Sequence, residues 1–284
     1  MKLATFSHGG EKLVGLVVED HLLPLRQADG FPADMRSIIE QWNVLERKAS
    51  VRLTVETDRI PLSDVTLHAP VENPRKILAI GLNYKDHIAE SGLPTPTEQV
   101  WFAKTSNTVV GPFDTVQVPK ASSAVDYEVE LVAVIGSRVR HVSVTDARKC
   151  IFGYCVGNDV SVRDWQFATP QWILGKSFDT HGPMGPFITT AGDIRDPHRL
   201  AIRSFLNGEL RQSSNTAHLL FNLWEQIAHL TKAMTLEPGD VIFTGTPGGV
   251  GWASSPRRVL TEGDVVRCDI EELGAIENRF ANER

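Results

Sequence analysis

Asp126-Tyr127-Glu128-Val129-Glu130-Leu131-Val132-Ala133-Val134-Ile135 is an apolar run that carries two glutamates at alternate positions. The Val, Leu and Ile content predicts a strand, and strand side chains alternate between faces. Glu128 and Glu130 therefore point the same way, on a face that Val132 and Val134 continue as an interior. Two like charges about 6 Å apart repel by on the order of 3 kcal/mol at an effective dielectric near 20. Burial adds a desolvation cost, which a protein relieves by protonating one acid or by binding a cation. A third acid, Asp159, follows in Gly157-Asn158-Asp159-Val160 on another apolar stretch. Three carboxylates without a nearby Cys or His pair suit a hard, oxygen-binding cation, Mg²⁺, Mn²⁺ or Ca²⁺, rather than Zn²⁺. The alternative is an edge strand that shows its acids to water.

The chain has 284 residues, enough to bury a substantial core as one large domain or a small one beside a large one. With 42% apolar and 23% charged residues it has the composition of a soluble globular protein. The net charge of −6 argues against nucleic-acid binding. The opening Met1-Lys2-Leu3-Ala4-Thr5-Phe6-Ser7-His8-Gly9-Gly10 lacks the apolar core of a signal peptide, and no run approaches a membrane span. Cys150, Cys155 and Cys268 are an odd number without zinc-type clustering, so the expected setting is reducing and cytoplasmic.

Residues 1–68 read as a small N-terminal β/α unit, with a strand over 13–18 after the Gly9-Gly10 turn. Ser37 with Glu40 reads as a capping box opening a helix through Ile38, Ile39, Trp42 and Leu45. Pro70 and Pro74 then mark a boundary, and residues 69–284 form the second unit. There the pattern is short strands separated by turns: Asn207-Gly208 is a type I′ hairpin signal, and Pro238-Gly239-Asp240 and Glu262-Gly263-Asp264 lead into strands. One amphipathic helix carries Leu219, Leu220, Leu223, Ile227 and Leu230, and a shorter one is expected after Ser143. The fold class is mixed α+β, dominated by β.

Chemistry-bearing side chains cluster in four further stretches. In Gly81-Leu82-Asn83-Tyr84-Lys85-Asp86-His87-Ile88-Ala89-Glu90, Asn83 can cap a short helix that sets His87 and Glu90 on one face. A glutamate beside an imidazole prepares a general base, although the same spacing also describes a solvated surface pair. The turn-rich 91–96 segment has the makings of a lid. Arg163 and Gln166 follow Asp159; a guanidinium can grip a substrate carboxylate, or it can neutralise Asp159 or Asp164. Lys176 stands among apolar residues, where an ammonium needs a partner. Thr244-Gly245-Thr246-Pro247-Gly248-Gly249-Val250-Gly251 lets backbone approach a ligand and offers the Thr246 hydroxyl, but lacks the Gly-Lys-Ser/Thr ending of a phosphate loop.

In this order, the segments at 81–90, 127–131, 158–164, 175–178 and 244–251 resemble the fumarylacetoacetate hydrolase family over roughly residues 70 to 284. The resemblance implies a mixed β-sheet roll as catalytic domain, with a small variable N-terminal domain, usually in a homodimer. It implies that Glu128, Glu130 and Asp159 coordinate a divalent metal, Mg²⁺ or Mn²⁺ first, and that His87 with Glu90 activates water. Lys176 would stabilise an oxyanion, and Tyr84, Arg163, Gln166 and Thr246 would contact substrate. Some members carry another acidic ligand where Ile80 and Gly81 stand here, so three carboxylates completed by water and substrate are expected. The expected partner is a small anionic 2-oxo or diketo acid, and the leading expectation is hydrolysis of a carbon–carbon bond in an acylpyruvate or other 2,4-diketo acid. Decarboxylation of an oxaloacetate-like acid and isomerisation or tautomerisation of dienedioates use related chemistry and stay open.

Overall fold

In the computed structural model, which describes residues 1–54, 57–92 and 94–284, the strand Val129–Ile135 lies near the centre of a twelve-stranded mixed sheet. It pairs antiparallel with Ile151–Asn158 on one side and with Val241–Phe243 on the other. That rules out the exposed edge. Its full apolar alternation is used, because both faces are covered. Leu131, Ala133 and Ile135 join a core with Ile202, Val266 and Ile276 of a second sheet. Val132 and Val134 join another with Leu3, Leu16 and Ile38 of the N-terminal segment. Each such side chain fully removed from water contributes roughly 1.5–3 kcal/mol.

Beyond Val241–Phe243 the sheet continues through Ile77–Gly81, in parallel, to Val100–Lys104. Beyond Ile151–Asn158 it runs through Gly182–Thr190 into Lys2–His8, Glu11–Val18, His21–Pro24 and Ile60–Pro61. The first strand joins the rest through Lys2 opposite Thr189 and Leu3 opposite Ile188. The second sheet has five strands, in the order Glu209–Asn215, Ala201–Leu206, Val265–Ile270, Gly274–Asn282 and Val116–Val118. Asn207 and Gly208 take φ of 52° and 82° between two of its strands, as a type I′ hairpin requires.

The helices depart from expectation at their ends. Asp34, not Ser37, caps the N-terminal helix: it accepts from the Ser37 backbone N–H at 3.0 Å and from the Ser37 hydroxyl at 2.7 Å. Ser37 is the donor because an acid three residues upstream is the better acceptor. That helix, Met35–Glu40, breaks at Gln41 before Trp42–Arg52. The capping box instead sits at Asn222 and Glu225, opening Leu223–Ala233; Leu219 and Leu220 precede the helix. After Ser143 there is only a short 3-10 turn, Ala147–Cys150. No helix among the described residues is long and apolar enough to cross a membrane.

Candidate active site

Glu128, Glu130 and Asp159 meet because two neighbouring strands bring them to one point. Val129 lies opposite Asn158 and Glu130 opposite Gly157. The Asp159 N–H donates to the Glu128 carbonyl at 2.9 Å, and the Glu128 N–H donates to Asn158 Oδ1 at 2.9 Å. One oxygen from each acid lies within 4.8 Å of the others, and all three residues are buried.

Three cations crowd against these acids. Lys176 Nζ lies 2.6 Å from Glu128 Oε2 and 2.7 Å from Asp159 Oδ2. Arg163 reaches Glu128 Oε1 at 2.6 Å, grips Asp126 Oδ2 at 2.9 and 2.7 Å, and donates to Gln166 Oε1 at 2.9 Å. Lys104 Nζ donates to Asp159 Oδ1 at 2.6 Å and to the carbonyls of Val160 and Lys176. Burial works against ionisation of Glu128, but Arg163 and Lys176 outweigh it and hold its carboxyl well below the usual range. The Lys176 ammonium is likewise desolvated yet held charged by Asp159 and Glu128. For Lys104 desolvation wins, and its pKa is lowered.

Four buried acids against three cations leave one negative charge unmatched, and it falls on Glu130. Its Oε2 accepts from the Gly245 N–H at 2.8 Å. Burial, then Asp159 and Glu128, push this carboxyl well up. An oxygen-only donor set with surplus negative charge fits a hard dication, which would be held by Glu128, Glu130 and Asp159.

The glycine-rich segment serves acids rather than phosphate. Its backbone N–H groups at Gly245, Gly249 and Gly251 donate in turn to Glu130, Glu90 and Asp126, at 2.8, 2.7 and 2.8 Å. Gly249 has φ of 101°, and a Cβ there would run into the Arg211 carbonyl. Thr246 lines the cavity with its hydroxyl held by Gln212 Nε2 at 2.8 Å.

His87 and Glu90 do share a face of the helix Lys85–Ser91 and line the same cavity as the acids. Their closest approach is 3.8 Å, beyond hydrogen-bond range, and His87 Nδ1 is buried without a partner. Leu93, in the segment read as a lid, lies outside the described residues. Tyr84, for which the resemblance implies a substrate contact, has its ring fully buried in the core, its hydroxyl without a hydrogen-bond partner and under the influence of Glu130. Asn83 does not cap the helix; it bridges Thr244 and Phe221 instead. Arg163 neutralises Asp126 and Glu128 rather than Asp159 or Asp164.

Sequence reasoning passed over Asp126, Lys104 and Gln212. Lys104 ends the apolar strand Val100–Lys104, the same signal of a cation among apolar residues that singled out Lys176. Asp126 lay in the very stretch that nominated Glu128 and Glu130. Gln212 carried no local signal. A cavity of about 460 Å³ opens over the acids, walled by Phe102, Phe167, Trp172 and Trp252. A larger one, about 670 Å³, lies at the opposite end of the central strand beside Gly136; two of its arginines, Arg75 and Arg138, are paired with Glu237.

Residues 76–281 match the family model for the C-terminal region of fumarylacetoacetate (FAA) hydrolase. The mitochondrial oxaloacetate tautomerase fahd2 of Xenopus laevis is 42% identical over 285 residues, covering 98% of this chain and 89% of that protein. A maleylpyruvate hydrolase from Sphingobium sp. SYK-6, solved with manganese(II) ion and pyruvate, superimposes with a TM-score of 0.85 at 32% identity and covers 100% of both chains. The 2-hydroxyhepta-2,4-diene-1,7-dioate isomerase of Mycobacterium marinum gives a TM-score of 0.79 at 30% identity, over 100% of this chain and 99% of that one. The family model covers well over half of the chain and the tautomerase nearly all of it, so this chain, with its buried acidic triad, is an enzyme of the fumarylacetoacetate hydrolase family.

Proposed function

We propose that the chain is a divalent-cation-dependent enzyme that interconverts the keto and enol forms of a small 2-oxo acid, oxaloacetate being the compound on which to test it. The observation that carries this reading is the buried convergence of Glu128, Glu130 and Asp159 in a cavity that His87 also lines. The 42% identity to an oxaloacetate tautomerase across nearly the whole chain supports tautomerisation over hydrolysis. A dication, which Glu128, Glu130 and Asp159 would hold, would supply Lewis-acid chemistry that draws electron density from C2 of the acid.

The chain's own residues would do the rest. His87 takes a proton from C3; the C–H electron pair becomes the C2–C3 double bond, the C2–O π pair moves onto the 2-oxo oxygen, and that oxygen takes a proton from solvent while His87 releases its own to solvent. Lys176, kept charged by its two carboxylates, stabilises negative charge growing on that oxygen. Phe102, whose ring centroid is 4.8 Å from Lys176 Nζ, keeps water from that ammonium. Hydrolysis of an acylpyruvate is the second reading. It is favoured by the room in the cavity and by the likeness to the maleylpyruvate hydrolase. A homodimer belongs to the proposal too, because Phe167, which lines the cavity, and the apolar Ile173 and Leu174 expose 55%, 41% and 62% of their surface.

The test is rapid dilution of enol-oxaloacetate into buffer with Mn²⁺, following loss of the enol ultraviolet absorbance while assaying carbon dioxide. Faster ketonisation than buffer alone, abolished by a chelator and without carbon dioxide release, is expected. A rate equal to buffer, with pyruvate released from an acylpyruvate under the same conditions, would replace tautomerisation by hydrolysis.

A further inference from the structure

Among the described residues lining the cavity, the cations are already spent except one. Arg163 is committed to Asp126, Glu128 and Gln166, and Lys176 to Glu128 and Asp159. Arg257 also lines the cavity, is exposed, and makes no ion pair. Its guanidinium lies over the Trp252 ring, 4.0 Å from the centroid, so the indole fixes the plane of the fork without using its hydrogen-bond donors. The neighbouring Arg258 is used differently, in a two-point grip on Asp264 at 2.7 and 3.0 Å. Ser254 folds the segment back with bonds to the carbonyls of Gly251 and Pro256, at 2.7 and 2.9 Å. The result is a free, pre-aimed guanidinium at the cavity that holds the acids. A cavity of about 460 Å³ lies within the range that takes ligands far larger than a four-carbon acid.

We propose that Arg257 is a specificity-determining residue that binds the far carboxylate of a dicarboxylic 2-oxo acid longer than oxaloacetate, with its carbon chain running along the aromatic wall. The assignment rests on the reading that the 2-oxo acid head docks at the acidic triad. A charge-assisted fork of this kind is worth enough to change affinity about 10- to 100-fold.

The test compares 2-oxohexanedioate with 2-oxohexanoate, which share the head and the chain length and differ only in the far carboxylate. Calorimetry on Mn²⁺-loaded wild type, Arg257→Met and Arg257→Lys measures each affinity. Wild type is expected to prefer the diacid by about 10- to 100-fold; Arg257→Met should lose that preference while binding the monoacid unchanged, and Arg257→Lys should restore part of it. Equal affinity of wild type for the two acids, or a preference that survives Arg257→Met, overturns the assignment. Absence of any Mn²⁺-dependent binding of either acid would instead remove the reading beneath it. Since Arg257 is exposed and bonded to nothing that holds the fold, thermal melts of the variants should match wild type.

Discussion

Asp126→Asn tests how the site floor is held together. Asp126 is fully buried and collects five donors: the Arg163 guanidinium at 2.9 and 2.7 Å, and the backbone N–H groups of Tyr127, Gly251 and Trp252 at 3.0, 2.8 and 3.1 Å. The amide removes one charge and turns one acceptor into a donor facing donors. Breaking a buried pair by removing one partner typically costs about 3–5 kcal/mol, because the other charge stays desolvated. Arg163 keeps Glu128 at 2.6 Å, which places the loss at the low end, about 3 kcal/mol. For a chain of this size that is a fall in Tm of about 6–10 °C. Scanning calorimetry of metal-free protein reads it directly. A cycle with Arg163→Gln adds a second check, since removing both members should cost less than the sum of the single losses. A melting temperature within about 2 °C of wild type, or strictly additive losses, would mean that Asp126 is not what neutralises Arg163.

Glu130→Gln should lower Mn²⁺ affinity at least about 100-fold by calorimetry, more than loss of an outer-shell partner does; unchanged affinity would remove Glu130 from the donor set. Lys176→Met should retain Mn²⁺ binding, since the three carboxylates stay in place, while turnover falls by about 10²–10³; loss of both together would mean that Lys176 builds the site rather than acting in it. His181 gives a pH prediction. Burial holds its imidazole down to about 3, against 6.5 for an ordinary histidine, and Nε2 bonds the Gln117 carbonyl at 2.8 Å. Between those two values the unfolded chain binds a proton that the folded one does not. Stability is therefore intact above about 6.5 and is lost as pH falls toward 3, at about 1.4 kcal/mol per unit. Urea melts across that window should show a shallower acid limb for His181→Gln than for wild type, and identical limbs would refute the assignment.

How much of this was legible beforehand follows from which interactions are local. Glu128 and Glu130 could be paired from the period of a strand alone, and Asn207-Gly208 from the φ values only those residues accept cheaply. The convergence of Asp159 with them depends on Val129 standing opposite Asn158, a register set by packing on both faces of the sheet. Sequence could nominate the third acid without placing it. The same limit explains Arg163: its partner lies 37 residues upstream, brought close when Val125–Asp126 pairs with Ser161–Val162, whereas local reasoning looked to Asp159 and Asp164. Tyr84 follows one residue after Asn83, yet the bridge to Leu219 turns its ring into the core. The glycine-rich segment shows the gap from the other side. Its composition announced close backbone approach, but what approaches is a set of three carboxylates from two distant segments, Glu90 from one and Asp126 and Glu130 from the other. A loop built this way cannot shift without unpairing a buried acid. The segment that carries Thr246 is thereby fixed to the triad on one side and to the His87 helix on the other.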